Sequence, residues 1–101
     1  MKNEFTVNEK KYVAKPFTFN LMCDFEDLGV SLSDMANKSM STVRTYFAIC
    51  AGIGLSEAGQ EIETHIINGG SIEPIAEAMS KELESSDFFR SLNKNMAKKV
   101  Q

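Results

Sequence analysis

The chain has 101 residues, of which 43% are hydrophobic and 25% charged, and its formal net charge is -3. This is the size and composition of one soluble globular domain, which excludes a fibrous protein and a wholly disordered chain. The longest apolar stretch, around Tyr46–Leu55, contains two glycines and is far shorter than the roughly 20 residues of a membrane span. With no secretory signal visible at the N-terminus, we expect a single cytoplasmic domain spanning residues 1–101 and no membrane partner.

The N-terminal segment 1–16 is predicted to form a β-hairpin. Glu4–Val7 and Lys11–Ala14 both alternate polar and apolar residues, and the polar residues between them supply a turn. With Glu9 and Lys10 in the loop, the apolar side chains of both strands share one face. A two-stranded hairpin is marginal alone in water, so this face must pack on the helices or on another chain. The second alternative makes three residues candidates for self-association: Phe5, Val7 and Tyr12.

Residues 17–97 are predicted to form a compact bundle of four to five short helices, which makes the chain mainly α. The predicted N-caps are Asn20 or Thr18, then Ser41, Ser56, Ser71, and finally Ser85 or Ser86. Val30–Met40 is predicted to be a connecting loop, in which Ser31 and Asp34 have the spacing of a capping box for one helical turn. The helix from Ser41 is apolar around most of its circumference, so we expect it at the centre of the bundle. The tail, residues 98–101, is expected to fray.

No residue pattern indicates a catalytic or metal site. His65 is the only histidine, and neither a Cys-x-x-Cys nor a His-Glu-x-x-His spacing is present. His65 lies on a mostly apolar helical stripe without the context of a catalytic nucleophile, so a packing or interface role fits it better. Cys23 and Cys50 are expected to be buried, reduced thiols. We therefore expect no enzyme, no metal and no cofactor.

Phe88 and Phe89 are adjacent on the last predicted helix, so both cannot point fully into one core. Two alternatives remain open: the pair is buried, or one of the two rings faces a partner. The second alternative makes Phe88, Phe89 and Leu92 a candidate partner-binding site.

The charges are unevenly distributed along the chain. Twelve acidic residues lie between Asp24 and Asp87, against only three basic residues in the same stretch. Because an acidic body repels phosphate backbones, we expect no nucleic-acid partner. The last helix nevertheless carries a basic stripe, Arg90, Lys94 and Lys98, so the alternative function is that of a small nucleic-acid-associated helical regulator.

A set of short motifs occurs in a familiar order along residues 17–92: Phe17-x-Phe19-Asn20, Cys23, Glu26-Asp27-x-Gly29, Ser41-Thr42-x-Arg44, Ala58-Gly59, His65, Asn68-Gly69-Gly70 and Ser86-Asp87-Phe88-Phe89. With them the chain resembles a tail assembly chaperone of long-tailed bacteriophages and prophages of Gram-positive hosts. The resemblance implies a non-enzymatic factor that binds and solubilises the tape-measure protein during tail morphogenesis in the host-cell cytoplasm. The tail tube protein is a further candidate partner, and we also expect a homo-oligomer.

Overall fold

The computed structural model describes the backbone of residues 3–100 and the side chains of residues 3–95. Within these residues, two strands precede six helices: β1 (Glu4–Val7), β2 (Lys10–Val13), α1 (Phe19–Asp27), α2 (Asp34–Asn37), α3 (Ser39–Ala51), α4 (Leu55–Ile67), α5 (Glu73–Glu84) and α6 (Asp87–Val100). The predicted fold class, a mainly helical chain with an N-terminal hairpin, is confirmed. α6 continues three residues past the predicted end of the helical body at residue 97. The side chains of residues 98–100 and all of residue 101, on which the predicted frayed tail falls, lie outside the described part.

The hairpin turn lies one residue earlier than predicted, at Asn8 and Glu9. Both residues have positive φ, 52° and 68°, as a tight two-residue hairpin turn requires. β1 and β2 pair antiparallel, with Phe5 opposite Tyr12. This register differs from the predicted one by two residues. Because side chains alternate with a period of two, the shift leaves the same residues on the apolar face.

The apolar face of the hairpin packs on the helices of the same chain. β1 contacts α4 and α5, while β2 contacts α3. The start of the hairpin is also tied to α5, because the Asn3 side-chain amide donates to the Ala78 carbonyl at 2.8 Å and to a Glu82 carboxylate oxygen at 2.9 Å. The hairpin is therefore a cover on one side of the helical core.

The centre of the core is α3, as its all-round apolar pattern predicted. Tyr46 and Phe47 are completely buried. The ring of Phe17 stacks on Tyr46, with centroids 5.2 Å apart and planes within 5° of parallel. The Tyr46 hydroxyl donates a 2.7 Å hydrogen bond to the Lys15 carbonyl, so the segment that leads into α1 is fastened to α3.

Side-chain caps occur at several of the predicted helix starts. Thr18 caps α1, since its hydroxyl accepts from the Leu21 amide at 3.1 Å. Ser31 and Asp34 form the predicted capping box, in which each side chain accepts from the other residue's amide, and the box starts the single-turn helix α2. Accordingly, the backbone hydrogen bond from Ser31 is the main cause that lowers the pKa of Asp34.

Three helix starts differ from the prediction. α5 begins at Glu73 with Ile72 at the N-cap position, one residue after the predicted cap Ser71, although the Ser71 hydroxyl accepts from the Glu73 amide at 3.3 Å. α3 begins at Ser39, two residues before the predicted cap. α4 begins at Leu55, so the prediction that Ser56 caps it is wrong. Leu55 packs against the core, which draws it into the first turn, and Gly54 takes the N-cap position without a side-chain hydrogen bond.

Candidate partner-binding groove

An apolar groove runs between the first and last helices, and we call it the α1–α6 groove. It has a volume of about 270 Å³. α1 and α6 supply most of its lining: Phe19, Met22, Cys23, Glu26, Phe88 and Leu92. The volume is below the roughly 300–1,000 Å³ that is usual for a small-molecule site, so the groove suits a few side chains of another protein better than a compact ligand.

Ser86 fixes α6 against the start of α1. Its hydroxyl accepts from the Phe89 amide at 3.1 Å, which makes Ser86 the N-cap of α6. The same hydroxyl donates to the Phe17 carbonyl at 2.6 Å. One buried side chain therefore both caps α6 and joins it to the segment before α1. This bond fixes the position of the groove wall that α6 supplies.

The two adjacent phenylalanines of α6 point in different directions. Phe89 turns inward and meets Phe17 edge to face at a centroid distance of 5.6 Å. Phe88 meets Phe19 edge to face at 5.9 Å and lines the groove together with Leu92. Both rings are half-buried and pack against the core, and Phe88 in addition lines the groove, where a partner could reach it.

Phe19 is the most exposed apolar residue described in the groove, and the sequence analysis did not single it out as a site residue. It is 65% exposed although it is a large aromatic residue. Phe17, two residues earlier, occupies the core, and α1 begins at Phe19, so the second ring is carried outward. The spacing Phe17-x-Phe19 could have indicated its exposure. The two rings flank the cap residue Thr18, where only one of them can enter the core.

The edge of the groove is acidic. Glu26 is exposed and, among the side chains of residues 3–95, is the only charged one in the lining. Leu32, from the loop before α2, adds an exposed apolar residue. An apolar cleft with one carboxylate at its edge can receive apolar side chains of a helix that carries a basic residue beside them.

The residues predicted for self-association lie inside the fold. Phe5 is 4% exposed and Val7 0%, and both belong to the core beneath the hairpin. Tyr12 is half-buried and stacks on Phe5 at 5.8 Å. The helices of the same chain already cover the face that these three residues share. This packing corrects the prediction that they form a contact surface for a second copy. Self-association itself stays a prediction.

His65 is a structural residue that joins three segments. Its Nδ1 accepts from the Asn8 amide at 3.1 Å, and its Nε2 lies 3.2 Å from the Ser71 carbonyl. A neutral ring with its proton on Nε2 satisfies both contacts. The ring lies so close to the backbone of Gly70 that a Cβ at this position would clash with it. Only glycine therefore fits at residue 70 without moving the ring.

A polar hollow of about 640 Å³ lies beside His65, between the hairpin turn and the end of α4. The side chain at the turn is already engaged, since the Asn8 amide group donates to the carbonyl and to a carboxylate oxygen of Glu61, both at 2.8 Å. Both ring nitrogens of His65 are engaged as well. These polar groups hold the hairpin turn to α4, which leaves them poorly placed to converge on a ligand.

Both cysteines are free thiols, and both are half-buried. The predicted free thiols are confirmed, whereas the predicted burial is only partial for each. Cys23 lines the α1–α6 groove. The Cys50 sulfur lies 3.4 Å from the Lys15 amide, and burial raises the pKa of this thiol, which makes it a poor nucleophile.

The basic stripe of α6 is only partly available to an anion. The Arg90 guanidinium pairs with the Asp87 carboxylate at 2.6 Å. Lys94 is exposed, and the side chain of Lys98 lies outside the described residues. Among the side chains of residues 3–95, no group of three His, Cys, Asp or Glu residues is placed to hold a metal ion. None of the helices in the described part is long and apolar enough to cross a bilayer.

Comparison of the chain with models of protein families, with curated proteins and with solved structures finds no match. The function must therefore be inferred from the residues of this chain and their geometry.

Proposed function

We propose that the chain is a non-enzymatic tail assembly chaperone of a long-tailed bacteriophage or prophage of a Gram-positive host, which binds and solubilises the tape-measure protein in the host-cell cytoplasm. The observation that carries the proposal is the α1–α6 groove, with Phe88 and Leu92 of the predicted partner site along one wall and Phe19 along the other. The sequence resemblance supplies the identity of the client. The geometry supports a protein partner, because the groove is apolar, shallow and open to solvent.

The client surface suggested by this groove is an amphipathic helix. Apolar side chains one turn apart would pack between Phe19 and Phe88, and a basic residue beside them would face Glu26. The acidic body of the chaperone would keep the complex dissolved while apolar client surface is covered. Binding of this kind needs no chemistry from the chaperone.

Co-expression with the tape-measure protein of the same gene cluster tests the proposal. The wild-type chain is expected to raise the soluble fraction of the client, and Phe19→Ser is expected to lower that gain because it removes an exposed aromatic contact. Val13→Ser is the matched control, since Val13 is also an exposed apolar residue, at 49%, but lies on the hairpin outside the groove. A client that stays equally insoluble with and without the wild-type chain contradicts the proposal.

Alkylation of the thiols reports occupancy of the groove directly. Cys23 lines the groove and Cys50 does not, so bound client is expected to slow the reaction of Cys23 with iodoacetamide while that of Cys50 is unchanged. Mass spectrometry of the two cysteine-containing peptides measures both rates in one sample. Equal protection of both thiols would indicate a general change of the fold instead of binding at the groove.

A further inference from the structure

A second apolar groove lies between α3 and α4, and it shares no residue with the α1–α6 groove. We call it the α3–α4 groove. Its volume is about 190 Å³. The lining residues that matter here are Met40, Val43 and Arg44 of α3 and Gly59, Ile62 and Ile66 of α4. From Gly59 to Ile66 the groove follows two turns of α4, which is about 10 Å at 1.5 Å per residue.

The shape of this groove favours a helical protein segment. Its volume is below the roughly 300 Å³ at which small-molecule sites begin, so one or two apolar side chains fill it. Gly59 keeps it open, because a larger side chain at that position on α4 would project into it. Met40, at the edge, is 72% exposed, so a partner that covered it would gain from burying apolar surface.

Arg44 is the only charged residue in the lining. Its stem crosses to α4, where its Cδ lies 3.5 Å from the position of a Cβ on Gly59. The ion pairs of residues 3–95 are Lys38 with Asp34 and Arg90 with Asp87, so within these residues Arg44 has no carboxylate partner. A guanidinium without a partner in an otherwise acidic body is available to bind a carboxylate from outside.

We propose that the α3–α4 groove docks an amphipathic helix of a partner protein that presents apolar side chains with a glutamate or aspartate on the next turn, where the carboxylate pairs with Arg44. This occupant differs in charge from that of the α1–α6 groove, whose edge carries Glu26. The two grooves would thus distinguish two helices, or two parts of one partner, by the sign of the charge next to the apolar residues.

Three fluorescein-labelled, alanine-based helical peptides serve as the probe. Each carries two leucines one turn apart, followed on the same face by glutamate, glutamine or lysine. Fluorescence anisotropy at low salt is expected to give the glutamate peptide about two- to fivefold tighter binding than the glutamine peptide, the range of an exposed ion pair. The lysine peptide is expected to bind the α3–α4 groove most weakly of the three, which is measured in Phe19→Ser because the α1–α6 groove also suits a basic helix.

Three variants assign the binding to this groove. Arg44→Glu, at an exposed position that should leave the fold intact, is expected to reverse the order so that the lysine peptide binds most tightly. Gly59→Leu, which fills the groove, is expected to abolish binding of the glutamate peptide. Phe19→Ser, in the other groove, is the control and should leave the affinity of the glutamate peptide unchanged.

The proposal is overturned if the glutamate peptide does not bind, or if the glutamate and glutamine peptides bind wild type equally. Loss of binding in Phe19→Ser would assign the peptide to the α1–α6 groove instead. A dimer seen by sedimentation that dissociates in Gly59→Leu would assign the α3–α4 groove to a second copy of the chain. None of these outcomes depends on the tape-measure protein, so the two proposals can fail separately.

Discussion

The hydroxyl of Tyr46 is the clearest case of a single polar group held inside this core. Tyr46 is completely buried, and its hydroxyl donates to the Lys15 carbonyl. Burial is the main cause that raises the pKa of Tyr46 above its ordinary value of 10.0, and burial likewise raises the pKa of Cys50 above 9.0. The sequence indicated that both residues face inward, but the hydrogen-bond partner of Tyr46 depends on where the chain runs after the hairpin.

Alkaline pH is therefore expected to destabilise the fold. The folded-state pKa values of Tyr46 and Cys50 lie above their unfolded values, so the unfolded chain releases these protons first and the free energy of unfolding falls as pH rises above about 9–10. Tyr46→Phe should lose about 1–3 kcal/mol at neutral pH, because the Lys15 carbonyl loses its donor, but should show a shallower alkaline decline. Urea unfolding at neutral pH and at about pH 10.5 measures both effects. Parallel pH profiles for wild type and variant would contradict the assignment to Tyr46.

At the scale of elements, two neighbouring serines show how a helix start is chosen. The sequence left Ser85 and Ser86 as equal candidates for the cap of the last helix. In the structure Ser86 is buried and makes both the cap and the bond to Phe17, whereas the exposed Ser85 hydroxyl donates to the Lys81 carbonyl of the preceding helix. Which serine caps the helix therefore depends on the position of Phe17, and the sequence around the two serines carries no information about that position.

Substitution of each serine by alanine is expected to separate these roles. Ser86→Ala should lower the free energy of unfolding by about 1–3 kcal/mol, because the helix loses its cap and the buried Phe17 carbonyl loses its donor. Ser85→Ala should stay within about 0.5 kcal/mol of wild type, as is usual for an exposed side chain. Chemical denaturation of both variants is the measurement. Equal losses in the two variants would mean that the cap and the bond to Phe17 carry no special stability.

At the scale of the whole molecule, the hairpin completes the core instead of offering an open apolar face. Its apolar residues pack on α3, α4 and α5, and the Asn3 side chain ties it to α5. Because a domain of this size buries only a small core, disruption of the hairpin packing is expected to lower the stability of the whole fold. Self-association is therefore expected to use other surfaces, such as the two apolar grooves.

Val7→Ala tests which role the hairpin has. Val7 is completely buried, so the change is expected to cost about 2 kcal/mol of folding free energy, at roughly 0.8 kcal/mol for each buried carbon plus a cavity term. Thermal unfolding measures that loss, and analytical ultracentrifugation at several concentrations measures the oligomeric state. A variant with wild-type stability but a weakened oligomer would show that the hairpin face is a contact between copies after all.

The sequence by itself determined the class and the order of the elements: a hairpin, then helices with α3 at the centre. Those features follow from apolar periodicity and from terminating residues, which are local properties of the chain. It also singled out Phe88, Phe89 and Leu92, because two adjacent aromatic residues on one helix exceed what a single buried stripe can hold. Only the tertiary structure showed that Phe88 and Leu92 line the groove and that Phe89 does not.

The remaining features of the grooves could not be predicted because they join residues far apart in the chain. Phe19 and Phe88 form opposite walls only after Ser86 has bound the Phe17 carbonyl. In the sequence Arg44 is indistinguishable from any other surface charge. Only the structure shows that its stem lies over Gly59 and so lines the α3–α4 groove. Packing is a property of distances between elements, and those distances are set by the core as a whole.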